Sequence, residues 1–205
     1  MALTGYNELL SELLGWTDDI GLSGDTATFV TLAEGTIYRK MRIGAMEDDF
    51  SVVLSGGEAA LPADFIEMKH LRIVSSGATN NLLEPIDANE LYRQFPKRTS
   101  DGKPVVFARD QTKLIFGPFP DSNYTVKGTY YKRLAALSTT NTTNWFMANA
   151  PDLLLAASMV EASLFLIEDE RSPAWKQKMN QIMQDIYEEE NQARASGGPK
   201  RSIAR

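Results

Sequence analysis

The chain of 205 residues contains no cysteine, and its only histidine is His70. Without cysteine, disulfides, thiolate nucleophiles and cysteine-ligated metal sites are excluded. An excess of positive charge is also absent, because 21 Lys and Arg stand against 27 Asp and Glu, giving a net charge of −6. This balance disfavours a protein whose whole surface neutralises nucleic-acid phosphates.

A long hydrophobic run is missing as well. The most apolar stretch, residues 153–167, contains Ser158, Glu161 and Ser163. As a helix it would span about 22 Å, whereas the hydrocarbon core of a bilayer is about 30 Å thick. We therefore expect a buried helix here and no membrane as a partner. Glu8 and Glu12 interrupt the apolar residues near the N-terminus, which predicts a helix there and not a signal peptide.

Sequence motifs for catalysis are lacking, since the chain has no Walker A sequence, no G-x-S-x-G and no H-E-x-x-H. His70 could work with carboxylates in a hydrolase, but no spacing fixes its partners. The acidic run Glu47-Asp48-Asp49 could bind a divalent ion, although a solvated loop between a helix and a strand is the expectation. We expect no cofactor and no metal.

Helical patterns occupy both ends of the chain. The first helix is predicted from Thr4 to about Leu14, with Gly15 as its C-terminal stop, and the second follows a cap at Asp25. A third helix starts at Pro151 and is apolar on nearly every side, so it should be central. A fourth starts at Ser172-Pro173 and carries a narrow apolar seam at Trp175, Met179, Ile182 and Ile186.

Between residues 50 and 137 the hydrophobic period changes from 3.6 to 2, and glycine and proline become frequent. One short helix is predicted in this region, at Asp87–Phe95, with Asp87 as its cap and Glu90 three residues later. Six strands are predicted, at residues 50–54, 65–74, 82–86, 104–108, 113–116 and 124–133.

These elements predict an α+β fold that is mainly α: a helical bundle from both chain ends, with a small antiparallel β module inserted between helices 2 and 3. The predicted divisions are residues 1–45 and 138–195 for the bundle, 46–137 for the β module and 196–205 for a flexible basic C-terminal arm. Tyr130 with Lys132, and Tyr131 with Arg133, should fall on opposite faces of one strand, so ordinary strand composition explains these residues better than a nucleic-acid surface does.

The C-terminal arm is the segment that the fold does not require. Gly and Pro prevent the fourth helix from continuing, and the basic residues that follow are too few to fold alone. Such a segment is either a frayed end or a docking arm that becomes ordered on a partner. The candidate docking residues are Gly197, Gly198, Lys200, Arg201, Ile203 and Arg205.

The order of several short motifs resembles the head-to-tail adaptor proteins of tailed bacteriophages, the group that includes tail tubular protein A. The motifs cover residues 25–190 and are most specific in their order and spacing. They are the amphipathic second helix, Leu61-Pro62-Ala63-Asp64-Phe65, Leu114-Ile115-Phe116-Gly117-Pro118-Phe119-Pro120, Tyr124-Thr125-Val126 with Tyr130-Tyr131, Asn149-Ala150-Pro151-Asp152-Leu153-Leu154-Leu155 with Glu161-Ala162, and Trp175.

This resemblance implies a non-enzymatic virion protein at the head–tail junction, made in the host cytoplasm. It implies a ring of identical copies, twelvefold in the family, that joins the portal protein to the next tail (nozzle) protein. The ring would continue the DNA channel, and DNA would pass through it without sequence-specific binding. The C-terminal arm would dock on the portal, and we expect a loop of the β module to face the tail, at Ser76, Gly77, Ala78, Thr79 and Asn80.

Two other classes of function remain open at this point. One is a phage or bacterial hydrolase that uses His70 with carboxylates. The other is a helical-bundle module that binds another protein as a dimer. Ring formation separates the adaptor from both alternatives.

Overall fold

The computed structural model describes residues 3–17, 20–54, 56–74, 81–99, 102–166 and 171–195. The helices are α1 Tyr6–Thr17, α2 Thr26–Lys40, α3 Ala88–Gln94, α4 Trp145–Asn149, α5 Pro151–Phe165 and α6 Ser172–Ala195. The strands are β1 Glu47–Leu54, β2 Glu58–Ala60, β3 Phe65–Val74, β4 Asn81–Pro85, β5 Val106–Asp110, β6 Lys113–Gly117 and β7 Tyr124–Lys132. The chain divides into two compact units, Met1–Ala45 with Leu134–Arg205 and Met46–Arg133, called here the helical unit and the sheet unit.

Helix α5 is the centre of the helical unit, as its all-round apolar sequence predicts. Helices α1, α2, α4 and α6 all pack against it. Its buried residues lie on most sides of the helix because four helices surround it, although Leu164 and Phe165 at its end are exposed. They are Leu153, Leu154, Ala156, Ala157, Ser158, Met159, Ala162 and Ser163.

A buried carboxylate fixes the segment that leads back from the sheet unit into these helices. Glu34 of α2 is 4% exposed and accepts hydrogen bonds from the backbone N–H of Leu137 at 3.3 and 3.2 Å and from the Asn144 amide at 2.9 Å. The Asn144 side-chain oxygen also caps α4 by accepting from Met147 N–H at 3.0 Å. Burial raises the pKa of Glu34, while the hydrogen bonds from Leu137 and Asn144 oppose the rise.

The sheet unit contains one sheet of seven strands in the order β1-β7-β3-β4-β5-β6-β2. The two end strands, β1 and β2, follow one another in the chain, which favours a sheet that curls towards closure. The inner faces of all seven strands contribute to one core. Its buried members are Phe50, Leu54, Ala59, Leu71, Ile73, Leu83, Phe107, Leu114, Phe116, Val126 and Tyr130.

This sheet shows that the predicted fold class, a mainly helical bundle with a small antiparallel β module, is wrong. Helices account for 47% of the structure and strands for 27%, and the sheet is mixed and close to a barrel. The parallel pairing is between β4 and β5, with Glu84 opposite Val106. A hairpin cannot join parallel strands, and here the connection contains α3, which packs on β5. Alternation in the sequence identifies strands but gives no direction of pairing.

Three local predictions were also wrong. Strand β1 begins at Glu47, so the acidic run is part of a strand and not a loop. Strand β2, Glu58–Ala60, was missed because its sequence has no β-branched or aromatic residue. Helix α1 continues through Gly15 to Thr17, whose hydroxyl bonds to the Leu13 carbonyl at 3.1 Å. An interior glycine costs a helix only about 1 kcal/mol relative to alanine, so Gly15 does not by itself end α1.

The predicted cap at Asp87 is confirmed, since its carboxylate accepts from Asn89 N–H at 2.8 Å. Glu90 does not complete a capping box but bonds to Arg93 and to Gln94 instead. Of the described helices, none is long and apolar enough to cross a bilayer.

We predict that Glu34→Gln removes a pH-dependent loss of stability. The folded-state pKa of Glu34 lies above its ordinary value of 4.5, so its contribution is fully present below that value and is lost as pH rises through the raised pKa. Urea unfolding between about pH 4 and about pH 8 should show wild-type stability declining relative to that of the variant. The control is Glu189→Gln, at an exposed position of α6. A wild-type-to-variant difference that stays constant with pH would contradict the prediction.

Candidate interaction surfaces

Both predicted docking segments lie outside the described residues. These are the arm (Gly197, Gly198, Lys200, Arg201, Ile203 and Arg205) and the loop (Ser76, Gly77, Ala78, Thr79 and Asn80). The elements next to them are described. Helix α6 runs to Ala195, and the loop joins β3 to β4, which pair antiparallel with Ile73 opposite Asn81. The segments therefore extend from a long helix and from the end of a β-hairpin.

His70 lies exposed on the outer face of β3, opposite Thr129 of β7. Within the described residues, its side chain makes no hydrogen bond, and no three His, Asp or Glu residues form a metal-binding group. The hydrolase alternative requires a carboxylate partner for His70 and gains no support from this environment.

Two residues of the acidic run of β1 pair with lysines, one on the adjacent strand β7 and one on β3, the next strand in the sheet. Asp48 contacts the Lys132 ammonium of β7 at 2.7 Å, and this hydrogen bond is the main reason that the pKa of Asp48 is lowered. Glu47 contacts Lys69 of β3 at 2.6 Å. Cross-strand pairing of this kind offsets the charge of two of the three acidic residues with which the strand begins.

Strand β7 separates its two faces as its alternation predicts. Tyr130 lies in the core and donates a hydrogen bond to Asp64 at 3.1 Å, and burial together with this carboxylate raises the pKa of Tyr130 to about 12. Gly128 also faces inwards, and a Cβ atom there would lie 2.1 Å from the His70 carbonyl oxygen. Glycine is therefore required where β3 passes so close to β7.

A basic pair occupies the outer face of the sheet next to this close approach. Arg72 of β3 lies directly opposite Lys127 of β7, and both are exposed. Neither makes a hydrogen bond or an ion pair with any residue that the structure describes. Like charges directly opposite one another destabilise a sheet. The depression around the pair is lined by Asp49, Phe50, Ser51, His70, Arg72, Lys127, Gly128 and Thr129.

The last turns of α6 are joined to the segment that follows α2 by three hydrogen bonds, which we call the clamp. The Tyr187 hydroxyl donates to the Lys40 carbonyl at 2.7 Å and accepts from Arg42 N–H at 3.1 Å. The Glu190 carboxylate accepts from Gly44 N–H at 3.1 Å. The helix that precedes the predicted arm is thus fastened to the stretch of chain immediately before the sheet unit.

Large apolar side chains are exposed on the helical unit. We call Leu32, Leu164 and Phe165 the apolar rim; they are 49%, 64% and 57% exposed. Phe165 contacts the buried Phe29 ring with centroids 5.6 Å apart, so the rim extends from the core of the unit. Leu32 lies one turn after Phe29 on α2, Leu164 precedes Phe165 on α5, and these two helices pack together. We therefore treat these exposed apolar positions as candidate protein–protein contacts.

The sequence patterns do not predict the basic pair, the clamp or the apolar rim as sites. The basic pair depends on strand register, which two irregularities in β3 shift, between Phe65 and Glu67 and between Met68 and His70. Tyr187 falls among the polar residues of α6, and its partners are backbone groups that carry no sequence signal. Leu32 belongs to the predicted apolar face of α2 but lies at its exposed edge.

Comparison with known proteins gives one family. A family model described as SU10 adaptor protein matches residues 4–202, which include the sheet unit and nearly all of the helical unit. The comparison with curated proteins finds no match. The resemblance to a phage adaptor is confirmed by the family match, and assignment to the tail tubular protein A group stays a prediction.

We predict that Tyr187→Phe lowers the free energy of unfolding by about 1 to 2 kcal/mol, because it removes two hydrogen bonds and leaves Arg42 N–H without its acceptor. Urea unfolding measures the difference. Tyr92→Phe is the matched control, since the Tyr92 hydroxyl makes one long exposed contact, 3.4 Å from Asp110, and should change stability by less than about 0.5 kcal/mol. Equal effects of the two substitutions would show that the clamp does not stabilise the fold.

Proposed function

The chain belongs to the SU10 adaptor protein family, and on that premise we propose that its copies form a ring that joins the portal to the tail. Membership makes it a structural adaptor protein of a bacteriophage, associated with other head–tail proteins of the virion. The ring, its twelvefold symmetry, its place at the head–tail junction and its continuation of the DNA channel are our proposals. Close similarity to tail tubular protein A is a finer proposal of the same kind.

The observation that carries the ring is the apolar rim of the helical unit. Leu32, Leu164 and Phe165 keep about half or more of their surface exposed although they adjoin a packed core. Burial of apolar surface contributes about 25 cal/mol for each square ångström removed from water. Contact between the rim of one copy and the surface of the next would remove these side chains from water. When the same contact is repeated by successive copies and their rotations add up to a full turn, the result is a closed ring.

The charge of the chain supports passage of DNA. A net charge of −6 leaves few fixed contacts for phosphates, so a channel formed by these copies would let DNA slide during ejection. A wall that held the backbone tightly would slow that passage.

The two predicted docking segments complete the proposal. We place the portal contact on the arm after Ala195, with Lys200, Arg201 and Arg205 pairing carboxylates and Ile203 entering a small apolar pocket. We place the contact with the next tail protein on residues 76–80. The elements that carry them support these roles, because a long helix and a hairpin are firm bases for short recognition segments.

We predict that Leu164→Lys prevents ring formation on the portal. A charge placed in the rim would have to be buried without a partner, which costs several kcal/mol per contact. Leu82→Lys is the matched control because Leu82, in the sheet unit, is 65% exposed compared with 64% for Leu164. Electron microscopy of each protein mixed with portal gives the result. A wild type that adds no ring density, or forms only dimers, would refute the ring, and rings from Leu164→Lys would refute the role of the rim.

We predict that removing the C-terminal arm and shortening the loop at residues 76–80 each abolish a different contact. A chain ending at residue 196 should fold normally and lose most of its affinity for the portal, and the wild-type affinity should fall as salt rises. A chain in which residues 76–80 are replaced by a short turn should keep portal binding and lose attachment of the tail. Each variant is the control for the other in portal-binding and tail-attachment assays. Normal portal binding by the truncated chain would show that the arm is a frayed end.

A further inference from the structure

The basic pair carries an electrostatic cost that the described residues do not offset. Neighbouring strands lie about 4.8 Å apart, so the two side chains of Arg72 and Lys127 start close together. Both are exposed, and neither has an ion-pair partner in the described part of the chain. An incoming pair of carboxylates would neutralise both charges and relieve their repulsion.

A complementary surface exists on α6. Asp185, Glu188 and Glu189 are exposed and stand at positions i, i+3 and i+4, so they share one face of the helix; we call them the acidic stripe. The buried residues of α6, Met179, Ile182 and Met183, lie on another side. Glu188 accepts a hydrogen bond from Gln184 at 3.0 Å. Within the described residues, Asp185 and Glu189 have no ion-pair partner.

We propose that the acidic stripe of one copy docks on the basic pair of the next copy. The contact is heterologous, since it joins a helix of one copy to the sheet of another, and such contacts generate rings when the rotation closes. The inference deepens the ring of the proposed function and rests on it.

The spacing of the two surfaces matches. Three to four residues of helix advance by about 4.5 to 6 Å, and the two strands that carry Arg72 and Lys127 are about 4.8 Å apart. A helix lying across β3 and β7 can therefore set one carboxylate opposite each cation. Arg72 offers a planar fork that takes a carboxylate through two hydrogen bonds, and Lys127 offers a point charge. Ser51 and Thr129 beside them add hydroxyl groups to the same depression.

A second copy fits this surface better than DNA does. Two cations neutralise about two phosphates, and so few contacts give only weak binding to DNA. The chain itself has six more acidic than basic residues, 27 against 21, so each copy brings carboxylates to its neighbour.

The absence of cysteine allows a direct test by cross-linking, because every disulfide between two copies of this chain must join engineered residues. A Lys127→Cys protein and a Glu188→Cys protein carrying a larger tag are mixed and oxidised, both alone and with portal. The expected product is the mixed dimer, identified by its mass. Lys97→Cys, at an exposed lysine elsewhere in the sheet unit, replaces Lys127→Cys in the control and should give about tenfold less.

Charge reversal then tests the electrostatics. Arg72→Glu with Lys127→Glu should lower ring assembly about tenfold, since two attractive pairs become repulsive. Adding Asp185→Lys, Glu188→Lys and Glu189→Lys to the same chain should restore assembly. Lys40→Glu with Lys97→Glu alters net charge equally at exposed lysines elsewhere and should have little effect. Thermal unfolding shows that each variant is folded.

The outcomes separate this inference from the ring itself. Rings by electron microscopy without the mixed disulfide overturn the contact and leave the ring standing. The mixed disulfide without rings supports the contact and overturns closure. If Arg72→Glu, added to the Lys127→Cys protein, lowers DNA retention in a filter-binding assay but leaves the mixed disulfide unchanged, the surface belongs to DNA and the inference is overturned. Failure of the five-residue reversal to restore assembly by a folded chain also counts against it.

Discussion

The arrangement of the helical unit depends on a buried carboxylate, Glu34, that has no cation partner among the residues that the structure describes. Glu34 is held by one backbone N–H and one side-chain amide, both from the segment that re-enters the unit after Arg133. A buried charge is tolerated only where donors reach it, so the path of this segment and the start of α4 are fixed together. The central helix α5 follows directly. Its packing by four helices therefore rests on a polar interaction as well as on apolar contacts.

In the sheet unit, the main constraint is that the strands must curve around a single core. Two irregularities in β3 and the close approach at Gly128 allow neighbouring strands to bend around one core. Pairs at the strand ends, such as Asp48 with Lys132, keep charged residues within the sheet at little cost. On the outer face, Arg72 and Lys127 have no such ion-pair partner in the part of the chain that the structure describes.

Helices were predictable from the sequence because each is a local pattern. The apolar surround of α5, the Asp87 cap and the Met179–Ile182 part of the α6 seam are all encoded within a few residues. The sheet was harder to predict from the sequence. The parallel β4–β5 pair and the register of Arg72 with Lys127 depend on residues that are far apart in the chain. The clamp at Tyr187 could not be predicted from the sequence, because the Tyr187 hydroxyl bonds to backbone atoms, which every residue has. Family membership was suggested by the order of motifs, which tolerates such errors of detail.

The clamp also gives the molecule a mechanical path. Tension applied beyond Ala195 enters α6 at its last turns, where Tyr187 and Glu190 hold residues 40–44. Those residues lead at once into β1, so the load passes from one end of the chain to the root of the sheet across three hydrogen bonds. It need not cross the apolar core around α5. An adaptor pulled at this helix would thus carry the tension through these hydrogen bonds while its interior stays packed.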